Sequence, residues 1–148
     1  MPITRSYSST DWNLVWNNIL IQGFAAEQKF SVTRNSESAS MEIGTDGDAV
    51  IVAHNDRSGK IEFELQRESP TNALLSAQLV AFEQRPRRAG AGTGAMKVRH
   101  TNEPLTSAIA TNGVIEKWPD MTAGKKNTTC KWVILLDDVT MFNGGAVA

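Results

Sequence analysis

The spacing of hydrophobic positions changes period along the chain, and each change marks an element. Between Lys60 and Arg67 the alternation is strict, with Ile61, Phe63 and Leu65 on one side and Lys60, Glu62, Glu64 and Gln66 on the other. A period of two belongs to a half-buried strand, so the first set faces a core and the second faces water. The period then becomes helical. From Pro70 to about Glu83, Leu75, Leu79 and Phe82 recur at helical spacing, and Leu74 and Val80 widen the apolar face. Ser69 marks the start of this helix, because its hydroxyl can cap a free N–H while Pro70, at the first helical position, has none to satisfy. The helix is expected to pack on the sheet.

The remaining pattern is that of strands. Trp12 to Trp16 and Ile19 to Phe24 are short apolar runs separated by Asn17 and Asn18, residues that tolerate the positive φ of a two-residue hairpin turn. Phe30, Val32 and Arg34 alternate with polar neighbours, and Met41 and Ile43 continue that alternation up to Gly44. Gly44–Asp48 and Asn55–Gly59 are dense in turn residues, so Ala49 to His54 is either a short strand or an extended arm, and 44–60 reads as a mobile loop. A second mobile loop is expected over 85–95, where the glycines and arginines show no apolar period. Met96 to Thr101 and Leu105 to Glu116 are strands, the second broken at Asn112-Gly113. Thr129 to Met141 is a long closing strand, bent or interrupted at Asp137 and Asp138. Many strands, one helix and no βαβ alternation predict a mainly β fold, an antiparallel β-barrel or sandwich carrying one α-helix at about 70–83. The whole of 1–148 reads as a single domain with an N-terminal arm over 1–11.

Composition narrows the function. The 148 residues have the length of one domain, and 41% hydrophobic with 21% charged residues fits a packed fold. Fifteen Lys and Arg against sixteen Asp and Glu give a net charge of −1, so no global positive field is available to hold a nucleic-acid backbone. The one cysteine, Cys130, sits in an apolar run and is expected to be a buried thiol in a reducing compartment. No basic-then-apolar leader and no run of membrane-spanning length is visible, so neither export by a signal peptide nor a membrane anchor is expected.

Candidate chemistry is sparse. His54, His100 and Cys130 do not make up the usual four ligands of a zinc site. A Ser-His-Asp set can be drawn with His54 and Asp56, but no Gly-x-Ser-x-Gly elbow accompanies it. The glycines at 90, 92 and 94 follow a helix and lack the Gly-Lys-Ser/Thr of a phosphate loop. Arg85, Arg87 and Arg88 form the one basic cluster, without interleaved aromatics; a solvated loop or a subunit contact competes there with phosphate binding. Glu62 and Glu64 read as a hydrated acidic stripe. No catalytic, metal or cofactor site is expected, and the chain is read as no enzyme.

The stretch Asp56-Arg57-Ser58-Gly59-Lys60-Ile61-Glu62-Phe63-Glu64-Leu65-Gln66, followed by Ser69-Pro70-Thr71-Asn72-Ala73-Leu74-Leu75-Ser76, resembles bacteriophage tail tube proteins, of the contractile-tail type. In that family a turn ending in Ser-Gly introduces an alternating strand, and a Ser-x-x-Asn-x-x-Leu-Ser segment starts the single helix. Ile21-Gln22-Gly23-Phe24, the Gly44–Asp48 turn, and Lys131-Trp132-Val133-Ile134-Leu135 ahead of Gly144-Gly145 stand in similar order. The resemblance implies a virion structural protein that self-assembles into hexameric rings whose sheets join as a continuous barrel. Rings would stack through an extended loop and the termini, forming a channel for genome delivery, and the tube would be assembled in the host cytoplasm. Implied partners are other copies of the chain, the sheath of a contractile tail, the tape measure, baseplate and tail terminator proteins, and genomic DNA passing through the lumen without specific binding. Lys60, Glu62, Glu64 and Gln66 are the candidate lumen-facing residues; Ala49, Val50, His54, Asn55, Asp56 and Arg57 are the candidate inter-ring loop. Two other readings stand beside this one: a secreted tube subunit of a contractile secretion system, and a small nucleic-acid-binding module using the Arg85–Arg88 loop.

Overall fold

The computed structural model describes residues 12–25, 30–84, 92–100, 106–121 and 129–143. The first hairpin joins β1 (Trp12–Trp16) to β2 (Ile19–Leu20), and Asn17 and Asn18 take φ of 50° and 62°. Positive φ at both central positions is the primed turn whose twist matches that of paired strands, which is why two asparagines suffice there. β3 (Ser31–Arg34), β6 (Gly59–Gln66), β9 (Thr129–Leu136), β8 (Thr106–Ile115), β7 (Thr93–His100) and β1 then follow one another in a single antiparallel sheet. After β2 the chain crosses to the far side of this sheet, where Phe24 bridges Leu65 of β6. Trp12 of β1 meets Phe30, just ahead of β3, edge to face at 5.5 Å between ring centroids. The two ends of the sheet therefore curl toward each other around a shared core, giving the mainly antiparallel β architecture, expected as a barrel or sandwich, with a single helix among the described residues.

The curl has an identifiable corner. β7 and β8 lose register between Gly94 and Met96, so that Thr111 and Asn112 together oppose Ala95. Such a bulge bends its strand. Opposite it, β9 passes through Asp137 and Asp138 into β10 (Val139–Asn143), which resumes pairing with β8 in the same register, Gly113 opposite Leu136 and Ala110 opposite Val139. Asp137 holds the corner: one carboxylate oxygen accepts the N–H groups of Asn112 and Asp138, and its own N–H is donated to the Asn112 carbonyl. The acidic break in an otherwise apolar strand is thus a local hydrogen-bond clamp for a bent strand pair.

Core residues come from alternate positions. Ile61, Phe63 and Leu65 of β6 are buried as the strict alternation requires, with Trp132, Ile134 and Leu136 of β9 beside them and Trp16, Met96 and Ala110 across the barrel. His100 is buried against the Trp12 ring, and Cys130 is half-buried on the core side of β9. Gly59 is the residue that lets β6 begin in this crowded place: a Cβ there would lie 2.5 Å from the Thr33 carbonyl oxygen and 2.9 Å from Val139.

The helix, α1 (Thr71–Gln84), closes the core with Leu75 and Leu79. Leu74 and Val80, expected to widen its packed face, instead point outward and are 52% and 41% exposed. At about 100° per residue they lie roughly 100° and 140° from Leu75, beyond the reach of the sheet. Two other expectations are corrected. The segment 44–60 is not one loop, since it holds β5 (Ala49–Ala53) and the start of β6, both laddered to neighbours. Thr93 to Ala95 of the expected 85–95 loop belong to β7 and Gly92 leads into it, while 85–91, including the Arg85–Arg88 cluster, and the N-terminal arm 1–11 lie outside the described residues.

The helix start joins the layers. Ser69 Oγ accepts the Thr71 N–H and donates to the Gln22 carbonyl at 2.6 Å. Asn72 donates to the carbonyls of Gln66 and Arg67, while its Oδ1 accepts the indole N–H of Trp132 at 2.9 Å. Replacing Asn72 by Ala leaves the Trp132 N–H and two carbonyls without this partner. A loss of about 1–3 kcal/mol in unfolding free energy is expected, measured by chemical denaturation with Asn72→Gln and wild-type for comparison.

Candidate functional site

The outward surfaces of the described residues carry the functional question. β4 (Ala39–Ile43) and β5 form a hairpin of their own, separate from the main sheet. Its turn is closed by Gly44 N–H to Asp48 O and by Gly47, at φ +87°, donating to Gly44 O. Directly opposed residues in an antiparallel pair share a face. Met41 opposite Ile51 and Ile43 opposite Ala49, flanked by Ala39 opposite Ala53, therefore make one face wholly apolar. Ile43 is 72% and Ile51 71% exposed, and every β5 residue is exposed. A two-stranded ribbon with nothing packed on its apolar face is a poor stand-alone structure.

What steadies this ribbon is its base. His54 N–H bonds to Ser38 O, its ring Nε2 lies 3.1 Å from Ser40 Oγ, and Asn35 N–H donates to Ser58 O. Asp56 accepts from the hydroxyls of Ser58 and Ser36 and from the Ser58 N–H. The candidate residues Ala49 and Val50 thus lie in the arm itself. His54 and Asp56 lie at its root, in separate bonds rather than in a Ser-His-Asp relay. Asn55 and Arg57 are exposed in the connection back to β6, and the Arg57 carbonyl takes the Val139 N–H. The candidate loop covers only the second strand of this hairpin and the connection after it; Met41, Glu42 and Ile43 of β4, whose alternation runs up to Gly44, pair with it.

The candidate lumen residues occupy the outward face of β6. Lys60 lies 3.1 Å from Glu62, and Lys131, brought in from β9, lies 3.9 Å from the other oxygen of the same carboxylate. The hydrogen bond from Lys60 is the largest influence holding the Glu62 carboxyl below the usual range. Glu64 stands opposite Lys131. The expected acidic stripe is therefore an interlaced face of both signs, and the register of β9, which no local pattern reveals, supplies its second cation. Glu116, Lys117 and Asp120 continue that mixed character along a shallow groove beside Glu62 and Lys131. No cluster of His, Cys, Asp and Glu able to hold a metal ion occurs among the described residues, and no helix there is long and apolar enough to cross a membrane.

The Ser58 and Ser36 hydroxyls hold the Asp56 carboxyl down, at about 2 against 3.8 for an unperturbed group. A depressed folded-state value means that this contribution to order at the arm's root is present above about pH 3.8 and is lost as pH falls through about 2. The Asp56 carboxyl resonance should accordingly titrate near pH 2. Asp56→Ala should speed amide hydrogen exchange at Ser58 and Asn35 at neutral pH, while amides of β6 and β9 keep their protection.

Comparison with solved structures shows the same fold in tube-forming assemblies. The tube-terminating cap of the anti-feeding prophage superposes with a TM-score of 0.64 at 10% identity, over 99% of this chain and 95% of that one. A chain of the sheath–tube complex of the PVC extracellular contractile injection system, in its extended state, gives 0.60 at 14% identity, covering 96% and 93%. A chain of the anti-feeding prophage baseplate gives 0.56 at 18%, covering 95% and 97%. A search of curated proteins by sequence finds no match. The profile of the bacteriophage PhiTE tail tube proteins matches residues 18–144, and with most of its length so matched the chain belongs to that tail tube family.

Proposed function

We propose that this tail tube protein works by closing copies of itself into hexameric rings that stack into a tube, through which genomic DNA passes. The observation that carries self-assembly is the β4–β5 arm, whose apolar face is left uncovered in the single subunit. Burial of such surface against another copy is favourable by roughly 25 cal/mol per Å², and repetition around a ring multiplies a contact that is small in each copy.

Strand edges support ring closure. β3 and β10 each pair on one side only among the described residues. Exposed edges invite pairing with another chain, and a closed ring satisfies them without open-ended aggregation. In that ring the β6 face of Lys60, Glu62, Glu64 and Gln66 lines the lumen and the arm reaches the next ring. A face of paired charges presents DNA with neither a strong positive field nor a bare apolar wall, which suits passage without binding. A sheath, a baseplate, a tape measure and a terminator are the partners that such a tube requires, and the assembled tube belongs to the virion tail, built in the host cytoplasm.

The likeness to chains of two contractile injection systems favours one alternative, a secreted tube subunit of a contractile secretion system rather than of a virion. Whether isolated particles enclose DNA decides between the two.

Electron microscopy of the purified protein, alone and with baseplate, tests the assembly. Rings with a central channel and stacked tubes are the expected result; monomers under every condition oppose it. Ile43→Ser combined with Ile51→Ser should leave the thermal unfolding of the monomer nearly unchanged, because both side chains are exposed, and should abolish tubes.

A further inference from the structure

The arm carries charge as well as apolar surface. Between Ala39 and Ala53 there are three acidic residues, Glu42, Asp46 and Asp48, and no basic one. An acceptor on a second copy must therefore be apolar, free of carboxylates and provided with cations. Outside the arm itself, exposed apolar side chains occur in four regions of the described surface, and one of them, Trp118 and Met121, lies in a segment that also carries the carboxylates Glu116 and Asp120. The outer side of α1 exposes Leu74 and Val80, but the helix contains no Lys or Arg. The outward side of β6 and β9 carries Glu62 and Glu64, and its Lys60 and Lys131 are already placed against Glu62.

The remaining region fits. On the outward side of β7, Lys97 and Arg99 are exposed and take part in no ion pair among the described residues. Pairing sets Lys97 beside Ile109 of β8, which stands opposite Thr140 of β10, and sets Arg99 beside Ser107, which stands opposite Phe142. Ile109 is 49% and Phe142 57% exposed. At the other end of the patch, Leu20 pairs with Val15, which stands opposite Lys97. The outward positions of these strands include no Asp or Glu. The surface is thus a two-cation, apolar counterpart to a three-anion, apolar ribbon, and it lies beyond the Asp137 corner from the candidate lumen face.

We infer that the β4–β5 arm of one copy docks on the outward β7–β8–β10 face of another, with Lys97 and Arg99 receiving its acidic turn and Ile109 and Phe142 receiving its apolar residues. The inference rests on the reading of the chain as a self-assembling subunit and names the acceptor within it. Donor and acceptor are different patches of one chain, so the contact is head-to-tail and propagates from copy to copy. Opposed charges fix register and speed encounter, and juxtaposed like charges reject it.

Charge reversal tests the pairing. Asp46→Lys with Asp48→Lys, and separately Lys97→Glu with Arg99→Glu, should each raise the protein concentration needed for tube formation about tenfold or more at low salt. All four side chains are exposed, so circular dichroism and thermal unfolding of the monomers should match wild-type. The fourfold variant, with both sides reversed, should regain assembly. In a Cys130→Ser background, Ile51→Cys on one copy should cross-link to Phe142→Cys on another within tubes, and not to Ala77→Cys on the helix. Tubes that persist in both double variants, a fourfold variant that fails to recover, or cross-linking to the helix position would overturn this acceptor while leaving self-assembly intact. A loss of DNA affinity in Lys97→Glu with Arg99→Glu, with tubes unaffected, would assign the patch to nucleic acid instead. Absence of rings from the wild-type protein would remove the subunit reading itself, and this inference with it.

Discussion

The hydrogen bond between the Asn72 side chain and the Trp132 indole, with the Ser69 cap beside it, is the junction on which the other parts depend. Through four consecutive residues the end of β6, the start of α1, the crossing segment at Gln22 and the centre of β9 are held to one another. The Trp132 indole, the Gln22 carbonyl and the Thr71 N–H are polar groups at least partly buried there, and leaving such a group unpaired costs about 1–3 kcal/mol. Gly23 belongs to the same junction: at φ +78°, with a would-be Cβ 2.6 Å from Ser69, it admits no side chain. The Ser-x-x-Asn segment on which the resemblance to tail tube proteins rested thus has a mechanical reason for being where it is.

A second constraint acts at the opposite corner. The bulge at Thr111 and Asn112 and the kink at Asp137 and Asp138 bend two paired strands together. Because β8 runs through the corner, it pairs with β9 on one side of the bend and with β10 on the other. The outward surface is divided accordingly, an interlaced charged face over β6 and β9 and an apolar, basic face over β7, β8 and β10. Two chemically different exteriors on one sheet are what a subunit needs if one side borders a channel and another receives a neighbour.

The arm relates to these surfaces by what it lacks. Its backbone is paired and its root is fastened through Asp56, Ser58 and Asn35, yet among the described residues its apolar side chains stay exposed. Order at the root with exposure at the tip keeps a ribbon extended, and in the proposed assembly that would lower the conformational entropy lost on docking.

Much of this was legible in the order of residues, and for local reasons. Strict alternation in Lys60–Gln66 identified a half-buried strand because side-chain direction in a strand depends only on parity. Asn17-Asn18 identified the hairpin turn, and Ser69-Pro70 the helix start, because caps and turns are settled within a few residues. The family resemblance rested on those same short signals. Other features depended on partners distant in sequence. The outward turn of Leu74 and Val80 is decided by where the sheet lies, and the mixing of the β6 face by Lys131, some seventy residues away and aligned only by register. The clamp role of Asp137 requires a bulge on another strand, and the uncovered face of the arm requires that β4 and β5 pair with each other and with nothing else. Local spacing determined the elements; only the tertiary structure decided which surfaces remain open, because exposure is a property of what packs on a residue and not of the residue itself.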